Sequence, residues 1–200
     1  MWWAWKPDAI ELFRRIDPPL WEASGRNPIV FATRVSQARL QQLSIDDSYL
    51  ANLERVKAQF KERVLATAHA DHPVYDHQTR IAYFSMEFGI HESLPIFAGG
   101  LGVLAGDHLK SASHVGLPLT AVGLLYREGY FQQYLDHTGW QQESYPETNI
   151  YTLPMVRITD DQKRDLRIHI AGPNGEIKAD VWKINIGRIP LFLLDTNLAD

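Results

Sequence analysis

Four glycines lie within eight residues of this sequence, at positions 99, 100, 102 and 106. Residues without a side chain allow the positive φ of tight turns and let backbone N–H groups approach an anion closely. A helix predicted to begin near Leu101 would add unsatisfied N–H groups and the positive end of its dipole. We therefore predict a phosphate-binding loop formed by Gly99, Gly100, Leu101 and Gly102. A tight turn that packs a helix closely on a sheet is the alternative for the same residues.

The spacing of the glycines also distinguishes between kinds of nucleotide site. A Walker-type loop needs Gly-Lys-Ser/Thr, whereas Lys110 lies several residues inside the predicted helix. The glycine cluster does approach the dinucleotide fingerprint, with residues 94–97 as the preceding strand and Glu128 as the carboxylate for a ribose. An NAD-type dinucleotide-binding domain is therefore an alternative function.

The segments around the glycine cluster predict a βαβ unit that would position the loop. Residues 81–88 form an apolar run rich in strand formers, as expected of a strand covered on both faces. A helix over residues 101–115 follows, and residues 117–126 form a second buried strand. A right-handed crossover between the two strands implies a parallel sheet.

The pattern changes toward the end of the sequence. Apolar residues alternate on both sides of a Pro173-Asn174-Gly175 turn, which predicts an antiparallel hairpin. Another buried strand is predicted within residues 188–197. A short parallel sheet that ended there would leave an open edge, so we expect the sequence to be part of a longer protein.

The first third of the sequence has helical periodicity. Leu50, Val56 and Phe60 belong to one apolar stripe of an amphipathic helix, and Asp46 and Asp47 are its candidate N-caps. The predicted fold class is therefore α/β. We expect a helical segment over residues 1–68, a linker over residues 69–80, and the beginning of an α/β domain with a β-rich insertion over residues 81–200.

Composition excludes several classes of function. The chain has a net charge of −4 and lacks the basic clusters that bind phosphate backbones, so we expect no nucleic acid partner. It has no cysteine, which excludes disulfides, thiolate nucleophiles and cysteine zinc sites. The apolar start of the sequence is too short for a signal peptide or a membrane span, so we expect a cytoplasmic protein with no membrane partner.

Two further groups of residues invite functional hypotheses. The densest histidine cluster lies in the predicted linker, where a solvated segment is expected and no metal site is predicted; it comprises His69, Asp71, His72 and His77. The tryptophans of the helical segment favour packing, although aromatic faces also suit sugars; they are Trp2, Trp3, Trp5 and Trp21. A non-catalytic module that binds a carbohydrate polymer or a partner subunit is therefore a second alternative.

Two long stretches of the sequence resemble a known enzyme family. The stretch IAYFSMEFGIHESLPIFAGGLGVLAGDHLKSASHVGLPLTAVGLLYREGYFQQ and the later ADVWKINIGRIPLFLLDTN are similar to the α-glucan (glycogen, starch or maltodextrin) phosphorylases. The opening WWAWKPDAIELFRRIDPPLWE resembles the helical segment that precedes the catalytic region in the shorter bacterial type. Since these enzymes are several times longer, the resemblance identifies the sequence as their N-terminal portion.

The resemblance implies a glycosyltransferase of GT-B architecture, in which two Rossmann-like domains face each other across a cleft. Its reaction is phosphorolysis of α-1,4-glucan non-reducing ends by inorganic phosphate, which releases glucose 1-phosphate. The implied cofactor is pyridoxal phosphate, attached through a lysine outside this sequence. We expect the 200 residues alone to be inactive, and the family resemblance allows a homo-oligomer.

The resemblance also assigns roles to particular residues. In the family, the loop that matches Gly99, Gly100, Leu101 and Gly102 touches the glucosyl and phosphate groups of the product. Glu87 matches a carboxylate near the active centre and is a candidate catalytic residue, with a salt-bridged strand end as the alternative. The candidates for lining the cleft are Tyr126, Arg127, Glu128 and Tyr130. The sequence departs from the muscle-type enzymes at Gly89, Ala98 and Val103, so their cofactor-ring contacts and nucleotide control are not carried over.

Overall fold

The computed structural model describes residues 1–66 and 79–198. It combines a helical N-terminal segment with a mixed α/β part, which confirms the predicted fold class at that level. The predicted linker at residues 69–80 lies outside the described residues except for Thr79 and Arg80. The histidine cluster of the predicted linker therefore lies outside them too; its members are His69, Asp71, His72 and His77.

The N-terminal segment consists of short helices with defined starts. Asp17, Asn27 and Asp46 each accept a hydrogen bond from a backbone N–H of the helix that follows them, and the Asp46 prediction is confirmed. Proline occupies the first position of three helices, where its missing N–H has no intrahelical partner. The helices are α1 (Pro7–Ile16), α2 (Pro18–Ala23), α3 (Pro28–Arg34), α4 (Gln37–Leu43) and α5 (Asp47–Phe60), with a 3-10 turn at Trp2–Trp5 and a π turn at Lys61–Leu65.

Aromatic packing holds the helical segment together. Trp21 is completely buried, stacks on Phe13 with 5.0 Å between ring centroids, and meets Phe31 edge-on. Trp2 is buried beside Leu12 in a second cluster. These contacts favour the packing hypothesis for the tryptophans over sugar stacking, because large buried aromatic surfaces contribute strongly to stability.

The main sheet has six strands and mixes parallel and antiparallel pairs. Its strands and those of a separate hairpin are β1 (Ile81–Phe84), β2 (Leu119–Leu124), β3 (Gln132–Leu135), β4 (Gln141–Ser144), β5 (Val156–Arg157), β6 (Arg167–Gly172), β7 (Gly175–Ile186) and β8 (Ile189–Asp195). The order is β1-β2-β8-β7-β5, with β6 also paired to β7, and β3 pairs with β4 alone. Helix α6 (Leu101–Val115) connects β1 to β2.

The predicted βαβ unit and hairpin are confirmed, with two corrections. β1 and β2 are parallel on either side of α6, and β6 and β7 form the antiparallel hairpin. The first apolar strand ends at Phe84 rather than at residue 88, and the 73% exposure of Phe84 shows that this edge strand is not covered on both faces. The sheet is also not purely parallel. β8 is parallel to β2. A tight turn connects β7 to β8, and β7 and β8 are therefore antiparallel.

A buried carboxylate links the antiparallel strands. Asp180 on β7 is 2% exposed and receives the guanidinium groups of Arg167, with 2.8 Å from Nε to Oδ1, and of Arg157. Arg157 also contacts the half-exposed Asp165 at 2.8 Å. The charge of Asp180 is therefore compensated by two half-exposed cations from neighbouring strands.

Replacing Asp180 by asparagine should lower the free energy of unfolding by about 2 kcal/mol. The asparagine amide carries no charge and directs N–H groups at a guanidinium. The loss of stability stays below that of a fully buried ion pair, because both arginines are partly exposed. Urea denaturation measures the change. Asp165→Asn is the matched control, and we expect it to change stability by less than about 1 kcal/mol. Equal effects of the two substitutions would contradict this account.

The helical segment docks on the α/β part through several specific contacts. The ring of Trp3 meets that of His91 edge-on at 4.8 Å, and the Asn27 side chain donates to the Thr152 carbonyl at 2.8 Å. The backbone N–H of Ser93 donates to Nδ1 of His91 at 3.2 Å, so this nitrogen must be unprotonated. Burial lowers the pKa of His91 below its ordinary value of 6.5.

Stability should therefore fall as the pH is lowered through the titration range of His91. Because the folded pKa is depressed, the unfolded chain binds the proton more readily, and stability present above about pH 6.5 is lost on acidification. Denaturation curves between about pH 7 and pH 5 measure this slope. His91→Gln should flatten it, whereas His137→Gln, at an exposed position, should leave it unchanged. Identical slopes in both variants would contradict the prediction.

Among the described residues, no helix is both long and apolar enough to cross a membrane.

Candidate functional site

The predicted site residues lie beyond the carboxyl ends of the parallel strands. Residues 85–100 follow β1, residues 125–131 follow β2, and Asp195 ends β8, which is parallel to β2. In open α/β sheets, ligands bind outside this edge, where loops from several strands meet. The fold therefore brings the glycine loop and the turn after β2 to the same end of the sheet.

Glu87 is the centre of the glycine loop. Its side chain is 4% exposed, and Oε2 accepts hydrogen bonds from the backbone N–H groups of Phe97 at 2.5 Å and Ala98 at 3.2 Å. Oε1 accepts from the N–H of Gly102, in the first turn of α6, at 3.2 Å. Within the described residues, no cation lies within salt-bridge distance of it. The described residues therefore do not provide the salt bridge that was the alternative considered from the sequence. Instead, the positive helix end and three amides hold the carboxylate.

Gly102 and Gly106 lie in close contact with residues 87–89, and at Gly106 the approach leaves no room for a side chain. A Cβ at Gly102 would lie 3.2 Å from Cδ of Glu87, and a Cβ at Gly106 would lie 2.0 Å from the carbonyl oxygen of Gly89. The N–H of Gly89 donates to the Gly102 carbonyl at 2.7 Å. Residues 87–89 therefore cross the first two turns of α6 at close range. The tight-packing alternative accounts for these two glycines, and the N–H of Gly102 is already used by Glu87.

Gly99 and Gly100 differ from the two packed glycines. Gly99 has a φ of +72°, a conformation that glycine adopts without strain, and a Cβ at either position would meet nothing within 4 Å. Gly100 has a φ of −94°, so neither its backbone nor its surroundings require glycine. In the described part of the chain, the N–H groups of Gly100, Leu101 and Val103 have no acceptor, and all three residues are exposed. These amides form the part of the loop that is open to an oxyanion.

The turn after β2 packs against the loop through one of the predicted residues. Tyr126 stacks on Phe97 with ring centroids 6.2 Å apart, and a Cβ at Gly129 would lie 3.2 Å from the Pro95 ring. Burial, and secondarily the charge of Glu87, raise the pKa of Tyr126. Tyr126 is therefore the cleft-lining candidate that the structure places directly beside the glycine loop.

The other cleft-lining candidates have separate surroundings. Arg127 donates from Nη2 to Oδ2 of Asp195 at 2.6 Å, and Asp195 is 3% exposed. Glu128 is exposed and forms an isolated backbone bridge with Glu147. Tyr130 is 56% exposed, and its ring lies against that of its neighbour Phe131 at 4.8 Å.

Sequence reasoning did not nominate Asp195. It joins the ends of β2 and β8 by holding Arg127, and it also accepts from the N–H of Asn197 at 3.1 Å. The available signal was a single carboxylate at the end of an apolar strand, the position where parallel sheets carry functional side chains. Its partner lies far away in the sequence, so the pair itself could not be predicted.

The dinucleotide-binding alternative does not match the geometry. The fingerprint needs a strand that leads through a tight glycine turn directly into the helix. Here residues 94–97 are not a strand, and residues 85–100 separate β1 from α6. Among the described residues, no group of three or more acidic or histidine side chains is placed to hold a metal ion.

Comparison with known proteins shows similarity to proteins named as phosphorylases. The chain is 41% identical over 211 residues to a protein named glycogen phosphorylase from Mycobacterium tuberculosis, an alignment that covers 99% of this chain and 24% of the relative. It is 38% identical over 200 residues to the maltodextrin phosphorylase of Thermococcus litoralis, covering 98% of this chain and 24% of the relative. The chain is related to the α-glucan phosphorylases.

Two further findings describe this relationship to the phosphorylases. The glycogen phosphorylase of Aquifex aeolicus is 34% identical over 204 residues, covering 100% of this chain and 28% of the relative. The chain thus spans about a quarter of the length of the phosphorylases it matches. Residues 1–94 match the family described as "Protein of unknown function (DUF3417)". The matched range includes the helical segment and Glu87. The resemblance read from the sequence is confirmed.

Proposed function

We propose that this chain is the N-terminal portion of an α-glucan phosphorylase and that it supplies the phosphate-facing loop of the active site. The observation that carries the proposal is the row of exposed N–H groups at Gly100, Leu101 and Val103, in a chain similar to phosphorylases over nearly its whole length. In the complete enzyme, these amides face the phosphate of glucose 1-phosphate or the attacking inorganic phosphate. The loop is thus part of a GT-B, Rossmann-like domain.

The arrangement suits phosphorolysis of an α-1,4-glucan. The reaction collects anionic phosphate oxygens next to a sugar that develops positive charge, and fixed N–H dipoles stabilise such oxygens without reorganising. Glu87 is a positioning residue in this proposal, because its carboxylate holds Phe97, Ala98 and Gly102 and so fixes the loop. Tyr126 supports the loop from the side through Phe97.

Pyridoxal phosphate is the cofactor proposed for the complete enzyme, where it supplies a second phosphate group beside the substrate. A Schiff base needs a lysine amine. In the described residues, the loop itself carries no lysine, and Lys110 lies on the last turns of α6 in a contact with Asp107 at 3.5 Å. The exposed amides of the loop fit a phosphate oxygen, and we propose that the lysine lies outside these 200 residues, as the family resemblance implies.

Several further properties follow from the same proposal. The 200 residues alone are catalytically inactive, because the loop is only one wall of the site. The complete protein is a cytoplasmic enzyme of carbohydrate metabolism, acts on α-1,4-glucan with inorganic phosphate, and assembles as a homo-oligomer. An assay of the recombinant chain for glucose 1-phosphate release tests the first point, and substantial activity would overturn it.

Gly100→Ala in the full-length enzyme tests the role of the loop. We expect kcat/KM for phosphorolysis to fall by about 100-fold, corresponding to roughly 3 kcal/mol, since a methyl group at the open face blocks the approach of an oxyanion to the amides. The folded state accepts alanine there, because φ is −94° and the Cβ would meet no atom within 4 Å. Thermal unfolding of the same variant checks that it is folded.

Ser111→Ala, on an exposed position of the same helix, is the control and should retain normal turnover. Near-normal turnover of the folded Gly100→Ala enzyme would contradict the proposed loop function.

A further inference from the structure

A second anion site is suggested by a cavity between the helical segment and the α/β part. The cavity has a volume of about 270 Å³ and lies near the end of α6 that is opposite the glycine loop. Cationic side chains from four separate segments line it. They are Lys6 before α1, Arg63 on the π turn, Lys110 on α6, and Arg188 in the turn between β7 and β8.

These cations are poorly compensated by carboxylates. In the described part of the chain, no carboxylate lies within 4 Å of the charged nitrogens of Lys6, Arg63 or Arg188, whereas Lys110 pairs with Asp107 at 3.5 Å. Glu62 is the acidic residue lining the cavity. Three uncompensated cations within one concave site are unusual in a protein of net charge −4, because like charges in close proximity repel.

The position of Arg188 is fixed by the fold. Its Nε donates to the Arg63 carbonyl at 2.6 Å, and its Nη2 donates to the Glu62 carbonyl at 3.1 Å. The backbone N–H of Arg188 donates to the buried Ser113 hydroxyl at 2.9 Å, which ties the β7–β8 turn to α6. The guanidinium is therefore anchored by neutral carbonyl groups, which orient it but leave its charge unneutralised.

We propose that this cavity binds a phosphate-bearing small molecule. Arginine and lysine together are the side chains that recognise phosphate oxygens, and the volume is close to the lower end of ligand pockets, about 300 Å³. Trp2 and Trp5 also line the cavity and offer aromatic surface to a small organic body next to the phosphate. The ligand would bridge the helical segment and the sheet, and so strengthen their docking.

A different explanation for the same charges makes a distinct prediction. Cations near the carboxyl ends of helices stabilise the unpaired carbonyls and the negative end of the dipole. This explains the contacts of Arg188 but not the positions of Lys6 and Arg63, whose side-chain nitrogens contact no carbonyl among the described residues. If the cations only complement the helix ends, no saturable anion binding should occur here.

The test uses the 200-residue chain with 15N-labelled tryptophan indoles. Inorganic phosphate and ribose 5-phosphate are titrated at constant ionic strength, with sodium chloride and ribose as blanks. We expect saturable shifts of the Trp2 and Trp5 indole signals, with tighter binding of ribose 5-phosphate if the ligand is a monoester. Arg63→Gln and Lys6→Gln should each weaken binding by about tenfold or more, as expected for loss of a charge-assisted contact.

The matched control is Lys61→Gln, which removes the same charge from the same turn outside the cavity and should alter affinity by less than about twofold. Gly100→Ala should leave these shifts unchanged, which separates this cavity from the glycine loop. The proposal is overturned if the indole shifts do not saturate, or if Arg63→Gln and Lys61→Gln bind equally well.

Discussion

Replacing Gly106 by alanine is expected to lower the free energy of unfolding by about 3 kcal/mol or more. The added Cβ would lie 2.0 Å from the carbonyl oxygen of Gly89 and 2.6 Å from its carbonyl carbon. Both are backbone atoms, so the overlap cannot be relieved by rotating a side chain. Helix α6 would have to move away from residues 87–89, which also breaks the hydrogen bond from Gly89 to Gly102 at 2.7 Å.

Intrinsic helix propensity favours alanine over glycine at this position, and so opposes the expected loss of stability. Alanine favours a helix over glycine by about 1 kcal/mol, so a loss of stability in Gly106→Ala must come from the tertiary contact. Gly100→Ala is the matched control, because the same methyl group would meet no atom within 4 Å at the N-cap of the same helix. Urea denaturation of both variants should show a large loss for the first and little change for the second. A Gly106→Ala chain as stable as the parent would show that α6 does not approach Gly89 so closely.

Glu87→Gln is expected to lower the free energy of unfolding by about 2–3 kcal/mol and to loosen the glycine loop. Both carboxylate oxygens accept backbone N–H groups, with Phe97 and Ala98 at Oε2 and Gly102 at Oε1. Glutamine has only one carbonyl oxygen, so its NH2 group must face at least one backbone donor. Because the position is 4% exposed, water cannot replace the lost acceptor.

Hydrogen exchange reports this change at the affected amides. The N–H groups of Phe97, Ala98 and Gly102 should be protected in the parent chain and exchange faster in Glu87→Gln. Glu92→Gln is the control, since Glu92 is 53% exposed and its contacts with Arg26 at 3.7 Å and His91 at 4.0 Å are long; it should change stability by less than about 1 kcal/mol. Unchanged protection of all three amides in Glu87→Gln would show that the carboxylate does not hold the loop.

The features predicted correctly from the sequence are those with a local signal. Helix α6 begins at Leu101 and ends at Val115 as predicted, because a glycine N-cap and a left-handed Gly116 bound an apolar stretch. The β6–β7 hairpin was predictable from alternation around two turn residues, since Gly172 pairs directly with Gly175. In both elements, the residues that decide the structure lie within a few positions of one another.

The features that sequence reasoning missed depend on contacts between distant segments. The apolar run after Phe84 suggested a longer strand, yet Phe88 is buried without any strand pairing there, because residues 87–89 pack across α6 instead. Periodicity reports burial and cannot tell sheet pairing from packing against a helix.

Several of the residues predicted for the candidate site lie close together, but their contacts were not predicted. The glycine cluster, Glu87 and Tyr126 do meet at one end of the sheet. The sequence did not reveal that Glu87 already uses the N–H of Gly102, which leaves other amides of the loop, among them those of Gly100, Leu101 and Val103, as open donors. A carboxylate and a phosphate are both anions that accept hydrogen bonds from backbone N–H groups. The fold therefore decides which N–H groups are available to each anion.

The mixed sheet also constrains the order in which the protein can form during synthesis. β7 and β8 are joined by a turn of two residues and can pair as soon as both have left the ribosome. β2 can pair with β8 only much later, because its Ala121 pairs with Leu191, which is synthesised 70 residues after it. Until then, β1 and β2 form a small parallel pair in which both outer edges are unpaired, whereas β8 covers the outer edge of β2 in the folded sheet. Unpaired strand edges can pair with other chains, so the growing chain is most exposed to aggregation in this interval.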